Sequence, residues 1–272
     1  MKIGFIGGGL MADSIIRGIL KNEITLPQEI SVGEIIVDRR KQLNEQYGVK
    51  VFEKNESVLE VADLIVISVK PQNLIDVFAN LTGKFKPQHT ILSIVAGTNI
   101  NTLKTELNHS KIIRVMPNMP AQIGCGMTVW TASKEVNKEH LILTEKLTEL
   151  LGKQLYVEDE KYIDMATALS ASGPAYVFLF IEALIDAGVY IGMPRDMANT
   201  LVNQTIFGSS KLVMETNIHP AELRNAVTSP GGTTAEGLLA LEENDFRAGL
   251  INAVDAAYGK AILLGASDND DN

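Results

Sequence analysis

The 272 residues are 46% hydrophobic, enough to bury one large core or two ordinary ones, and the net charge of −9 argues against a nucleic-acid partner. The one cysteine, Cys125, excludes an internal disulfide and a cysteine metal cluster; between Gly124 and Gly126 it is expected to be a small buried residue. The chain opens on an apolar strand with no signal-peptide pattern, and the apolar run 176–185 carries Glu182 and is too short for a bilayer. A cytoplasmic protein with no membrane partner is the expectation.

Residues 2–12 (KIGFIGGGLMA) join a strand through Ile3, Phe5 and Ile6 to the pattern G-x-G-x-x-A at Gly7, Gly9 and Ala12. The first glycine permits a tight bend, the second lets backbone approach a pyrophosphate, and the alanine lets the next helix pack closely. Free amides at that helix start suit phosphates without a basic side chain. A purely structural glycine turn is the competing reading. Further strands are expected at 34–37, 64–69, 90–95, 111–115, 127–130 and 154–157, with helices near 39–46, 72–80, 99–107 and 135–151. This alternation predicts an α/β, Rossmann-type doubly wound parallel sheet.

The pattern changes near residue 160. The expected domains are 1–159 for dinucleotide binding and 160–266 for an all-helical substrate and dimerisation part, with an Asp- and Asn-rich disordered tail at 267–272. Pro194 and Pro220 open helices, and others are expected at 235–242 and 245–264. The helix 175–188 is apolar around most of its circumference and needs cover, from its own nucleotide domain or, more simply, from a second copy.

A strand at 34–37 would set Asp38 where an acidic residue accepts a ribose 2′-OH and favours NAD. Arg39 and Arg40 beside it suit a 2′-phosphate and favour NADP, unless both are solvated helix-start residues. Val69, Lys70, Pro71 and Gln72 after one buried strand, and Ala96, Gly97 and Thr98 after the next, emerge at the edge that carries the glycine turn; ordinary turns would read the same way. In 114–120 (RVMPNMP) two prolines stiffen the segment, and Asn118 either reaches across a cleft or is structural. Ser172 is placed to N-cap the apolar helix, with Pro174 in its first turn. Residues 229–234 (SPGGTT) set two bare glycines before two hydroxyls at a helix start, a nest suited to a carboxylate. His89, His109, His140 and His219 lack ligand spacing, and three of the four sit in polar contexts expected to be exposed. No metal site or hydrolytic set is visible. Hydride transfer needs positioning more than a nucleophile.

Together these segments resemble the pyrroline-5-carboxylate reductase family from Ile3 to about Lys260. FIGGGLMA is similar to its nucleotide turn, VKPQ at 69–72 to its post-strand loop and RVMPNMP to its Arg-x-Met-Pro-Asn-Thr-Pro segment; ALSASGPAYVFLFIEALIDAGV from Ala168 and VTSPGGTTAEGL from Val227 are longer matches. The resemblance implies reduction of (S)-1-pyrroline-5-carboxylate to L-proline with NADPH or NADH. It implies that Gly7, Gly8, Gly9, Leu10, Met11 and Ala12 hold the pyrophosphate, that Asp38 and Arg39 face the adenosine ribose, and that Asn55 helps bind the nucleotide. Val69, Lys70, Pro71, Ala96 and Gly97 would line the nicotinamide side. Ser229, Gly231, Gly232, Thr233 and Thr234 would hold the substrate, with Thr234 nearest the ring nitrogen as the catalytic residue, and Glu160 would be an acidic position at the pocket. It also implies a homodimer, with decamers in some members. Leu10, Met119, Ala171 and Asn225 depart from the usual pattern without removing Thr234 or the glycine loop. The alternatives are a related imine or 2-hydroxy acid reductase, or a nucleotide-binding dimer without catalysis.

Overall fold

Short runs of β-branched and aliphatic residues form eight strands in the computed structural model, which describes residues 1–266. They are β1 (Ile3–Ile6), β2 (Ile30–Gly33), β3 (Lys50–Phe52), β4 (Leu64–Ile67), β5 (Thr90–Ser93), β6 (Ile112–Met116), β7 (Gly126–Ala132) and β8 (Gly152–Tyr156). One sheet holds them in the order β3-β2-β1-β4-β5-β6-β7-β8. Strands β1 to β6 are mutually parallel, and the order reverses on either side of β1, the switch point at which such sheets open a crevice. Strand β7 runs antiparallel to β6. Residues 117–125 are too short for a parallel crossover, so the chain turns back through a 3₁₀ turn at Met119–Ile123.

Helices α1 (Leu10–Lys21), α2 (Val37–Tyr47), α3 (Glu56–Leu59), α4 (Leu74–Leu81), α5 (Ile100–Leu107) and α6 (Lys138–Glu149) connect the strands. One sheet face packs Ile3, Phe5 and Val32 with Ile15, Ile16 and Ile19 of α1; the other packs Ile6, Ile65 and Ile67 with Val77, Leu81 and Leu103. Beyond residue 160 the described chain is helical: α7 (Lys161–Ala166), a π-helical turn Thr167–Ala171, α8 (Gly173–Tyr190), α9 (Arg195–Thr216), α10 (Pro220–Ala226), α11 (Thr233–Glu243) and α12 (Phe246–Ala266). By contacts the chain divides into two compact units, Met1–Ser172 with Ala257–Asn272, and Gly173–Ala256.

Several sequence expectations are corrected. The strand expected at 34–37 lies four residues earlier, because Ile35 and Ile36 are solvent-exposed and the fully buried run is Ile30–Gly33. Strand β3 and helix α3, of three and four residues, were too short to leave a periodic signal. Ser172 is no N-cap: its backbone is helical, with φ −80° and ψ −26°, and its amide donates to Thr167 O at 2.9 Å, carrying α7 through the π turn into α8. The resulting helix Lys161–Tyr190 has 30 residues and is long and apolar enough to cross a bilayer by length and composition, so the shortness inferred from 176–185 does not hold. Cys125 is exposed on the turn before β7. His89 and His140 are buried and His109 is half-buried, leaving only His219 exposed. The tail at 267–272 lies outside the described residues.

Candidate functional site

The glycine turn is fixed by the two strands flanking β1. Gly7 N donates to Gly33 O at 2.8 Å, and Ser68 Oγ donates to Gly7 O at 2.8 Å. Gly7 has φ +94°, and a Cβ there would lie 3.0 Å from the Ser68 carbonyl oxygen, so bend and close approach both demand glycine. Gly8 is buried against Leu43. Gly9 caps α1 with extended backbone, and a Cβ on it would meet no atom within 4 Å. The space is instead part of a cavity of about 690 Å³ lined by Gly7, Gly9, Gly33, Glu34, Asn55, Ser68, Val69 and Lys70, among others. First-turn amides of α1 have no i−4 partners, so an anion approaching Gly9 meets donors and the positive end of the helix dipole. A dinucleotide pyrophosphate fits this cradle, which a side chain at position 9 would fill. Leu10 is exposed beside it, while Met11 and Ala12 turn toward the core.

Two of the residues expected to face the nucleotide ribose stand apart from the cavity lining. Asp38 and Arg39 lie in the first turn of α2 and do not border the cavity. Arg39 is spent on the protein, donating from Nε to Gly8 O at 2.7 Å, from Nη1 to Gln42 Oε1 at 2.6 Å and from Nη2 to Asp13 Oδ1 at 2.8 Å. Tyr47 donates its hydroxyl to Asp13 Oδ2, and burial, followed by this carboxylate, raises the Tyr47 pKa. The residue that follows β2 is Glu34, which the expected strand at 34–37 hid; the sequence signal that could have found it is the alternating pair Ile30 and Val32 ending at Gly33. Ile35 and Ile36 add exposed aliphatic surface to the same cavity wall.

After β4, Pro71 opens a 3₁₀ turn, Pro71–Asn73, and Val69, Lys70, Gln72 and Asn73 border the cavity. The loop after β5 does not. Ala96 packs on Met116, Val129 and Ile163, and Gly97, with φ +77°, is crowded by Leu264 of α12, 2.7 Å from where its Cβ would be. Asn118 proves structural: its Oδ1 accepts from Met127 N at 2.9 Å and its Nδ2 donates to Ser170 O at 3.3 Å. Pro174, four residues later, has no N–H to offer that carbonyl.

Glu160 is engaged from two sides, its Oε1 accepting from Arg114 Nη1 and from Ile100 N, both at 2.8 Å. Arg114 is 1% exposed and also donates to Asp164 Oδ1 at 2.6 Å. The two carboxylates at the start of α7 thus neutralise a guanidinium buried under the sheet, a pairing the sequence did not reveal.

In the helical unit, Gly231 has φ +66° and Gly232 closes the loop by donating its amide to Ser229 O at 3.0 Å. Gly232 caps α11, which places Thr233 and Thr234 in its first turn with the amides that lack i−4 partners. Thr234 is half-buried, and Ser229 and Thr233 are exposed.

Residues 160–264 match the family model for pyrroline-5-carboxylate reductase dimerisation, and residues 2–97 match that for coenzyme F420-dependent NADP oxidoreductases. The chain is 41% identical to the pyrroline-5-carboxylate reductase of Arabidopsis thaliana over 98% of this chain and 96% of that one. It is 40% identical to that of Synechocystis sp. over 97% and 98% of the two chains. The crystal structure of the Plasmodium falciparum pyrroline carboxylate reductase with NADP bound superposes with a TM-score of 0.88 at 34% identity, over 97% of this chain and 98% of that one.

Proposed function

Because the chain belongs to the pyrroline-5-carboxylate reductase family, we propose that it reduces (S)-1-pyrroline-5-carboxylate to L-proline with NADH or NADPH. The observation that carries this reading is the cavity at the sheet's switch point, open at Gly9 and backed by the α1 amides. When bound, the reduced nicotinamide supplies a hydride to the ring carbon of the C=N bond, and the ring nitrogen takes a proton.

The protein's part is positioning and charge. The amides around Gly9 hold the pyrophosphate, Asn55 braces the nucleotide, and Val69 and Lys70 border its nicotinamide side. The first-turn amides of α11, with Gly231 and Gly232, take the substrate carboxylate, while Ser229 and Thr233 shape the loop. The Thr234 hydroxyl bonds the ring nitrogen, orienting it for attack and tolerating its protonated, more electrophilic form. Its ordinary acidity is too weak for it to be the final proton source, so solvent supplies that proton through it. Glu160 acts at the pocket by anchoring α7 through Arg114.

The chain carries the family's dimerisation domain and oligomerises. A homodimer is the unit proposed, with a decamer as the higher assembly to test, in the cytoplasm. The test is to mix purified protein with 1-pyrroline-5-carboxylate and follow absorbance at ~340 nm with NADH and NADPH in parallel. Oxidation dependent on the imine supports the assignment. A folded protein that binds nucleotide but turns over neither would overturn it.

A further inference from the structure

Glu34 directly follows β2, the position from which a parallel sheet of this kind presents an acidic residue to the adenosine ribose. The residue is 9% exposed and borders the cavity. Oε2 accepts from Gly8 N at 2.9 Å and Oε1 from Ile36 N at 2.9 Å. Two backbone amides therefore fix the carboxylate against the glycine turn, and each oxygen retains a lone pair for another donor. A ribose bearing 2′- and 3′-hydroxyls offers such donors. A 2′-phosphate offers about two negative charges and only acceptors.

Among the described residues, no Lys or Arg lines the cavity on the Glu34 side of β1. All three Arg39 nitrogens are bound to Gly8, Gln42 and Asp13. Arg40 Nη1 donates to the carbonyls of Glu34 and Ile35 at 2.6 and 2.9 Å, and neither arginine borders the cavity. Lys70 does, but it follows β4, on the opposite side of β1 from Glu34. We propose that Glu34 is the residue that sets nucleotide choice in this chain and that it favours NADH over NADPH. This rests on the nucleotide reading above.

Isothermal titration calorimetry of the full-length protein with NADH and with NADPH, without imine, tests it. NADH is expected to bind at least roughly tenfold more tightly, since a like charge set against a fixed carboxylate is strongly disfavoured. Glu34→Gln keeps the shape and removes the charge; it should narrow that ratio mainly by strengthening NADPH. Equal or tighter NADPH binding by the unsubstituted protein overturns the proposal while leaving the reductase assignment intact. So does a Glu34→Gln variant that loses both nucleotides in equal measure, because the carboxylate would then only brace Gly8. Should neither nucleotide bind, the nucleotide reading falls and this proposal with it.

Discussion

Strand β4 and helix α8 are similarly apolar, yet all four β4 residues are fully buried while Leu179 in α8 is 67% exposed. Among the described residues of Gly173–Ala256, Ala198 is the only buried apolar one, and Phe178, Met197, Leu201, Phe207 and Met214 are all exposed. The sheet unit closes its core with its own helices. The helical unit leaves many large apolar side chains exposed, as an association surface does. The same hydrophobic content thus serves folding in one unit and association in the other, in keeping with the dimerisation model that residues 160–264 match.

The largest effect should come from placing a charge on the uncovered face. Leu179→Glu is expected to weaken association by about 3–5 kcal/mol, the cost of an unpaired charge at a desolvated contact. Sedimentation velocity would show smaller species, and an unchanged oligomer would end the contrast between the units. In the sheet unit the matching change is Ile65→Ala, which should cost about 3 kcal/mol by cavity formation, independent of protein concentration. Denaturant melts at two concentrations check this.

Within the sites the same division predicts separable losses. Thr234→Ala should lower turnover about a hundredfold with nucleotide affinity unchanged; steady-state kinetics with intact turnover would remove its role. Gly9→Val should weaken nucleotide binding about tenfold or more with only the small loss of Tm that a poorer N-cap brings, because the new side chain enters open cavity. A large drop in Tm with nucleotide affinity retained would make Gly9 a structural glycine.

The smallest expected effect is pH dependence. Burial is the main cause that lowers the pKa values of His89, His109 and His140 from 6.5. Lys86 N donates to His89 Nδ1, a bond that protonation would break. Since the unfolded chain takes up these protons first, their contribution is complete above the unfolded pKa and is lost as pH falls toward the lowered folded values. Tm should therefore decline modestly from pH 7 to pH 5, and His140→Gln should flatten the decline. A flat profile in the unsubstituted protein would count against buried neutral rings.

The legible features were those carried by local chemistry. The bend at Gly7, the bare backbone at Gly9 and the loop before α11 follow from residue type and immediate neighbours. Glu34 was missed because a strand's end is decided by its neighbours: Ile35, Ile36 and Val37 look like strand interior but lie beyond the ladder with β1. The buried histidines failed for the same reason. Lys86, Pro87 and Gln88 make the approach to His89 look like surface, while the ring is covered by distant segments. The clamp of Glu160 and Asp164 on Arg114 joins positions about 50 residues apart, beyond any motif.

The crowding of Gly97 by Leu264 bears on the order of events at the ribosome. Asn99 donates to Gly265 O across 166 positions, so the bracket over the β5 loop is made long after the loop itself. The strands of the sheet are all synthesised by Tyr156, and the nascent chain must hold that loop uncovered through the making of the five helices α7 to α11 before α12 arrives to close it.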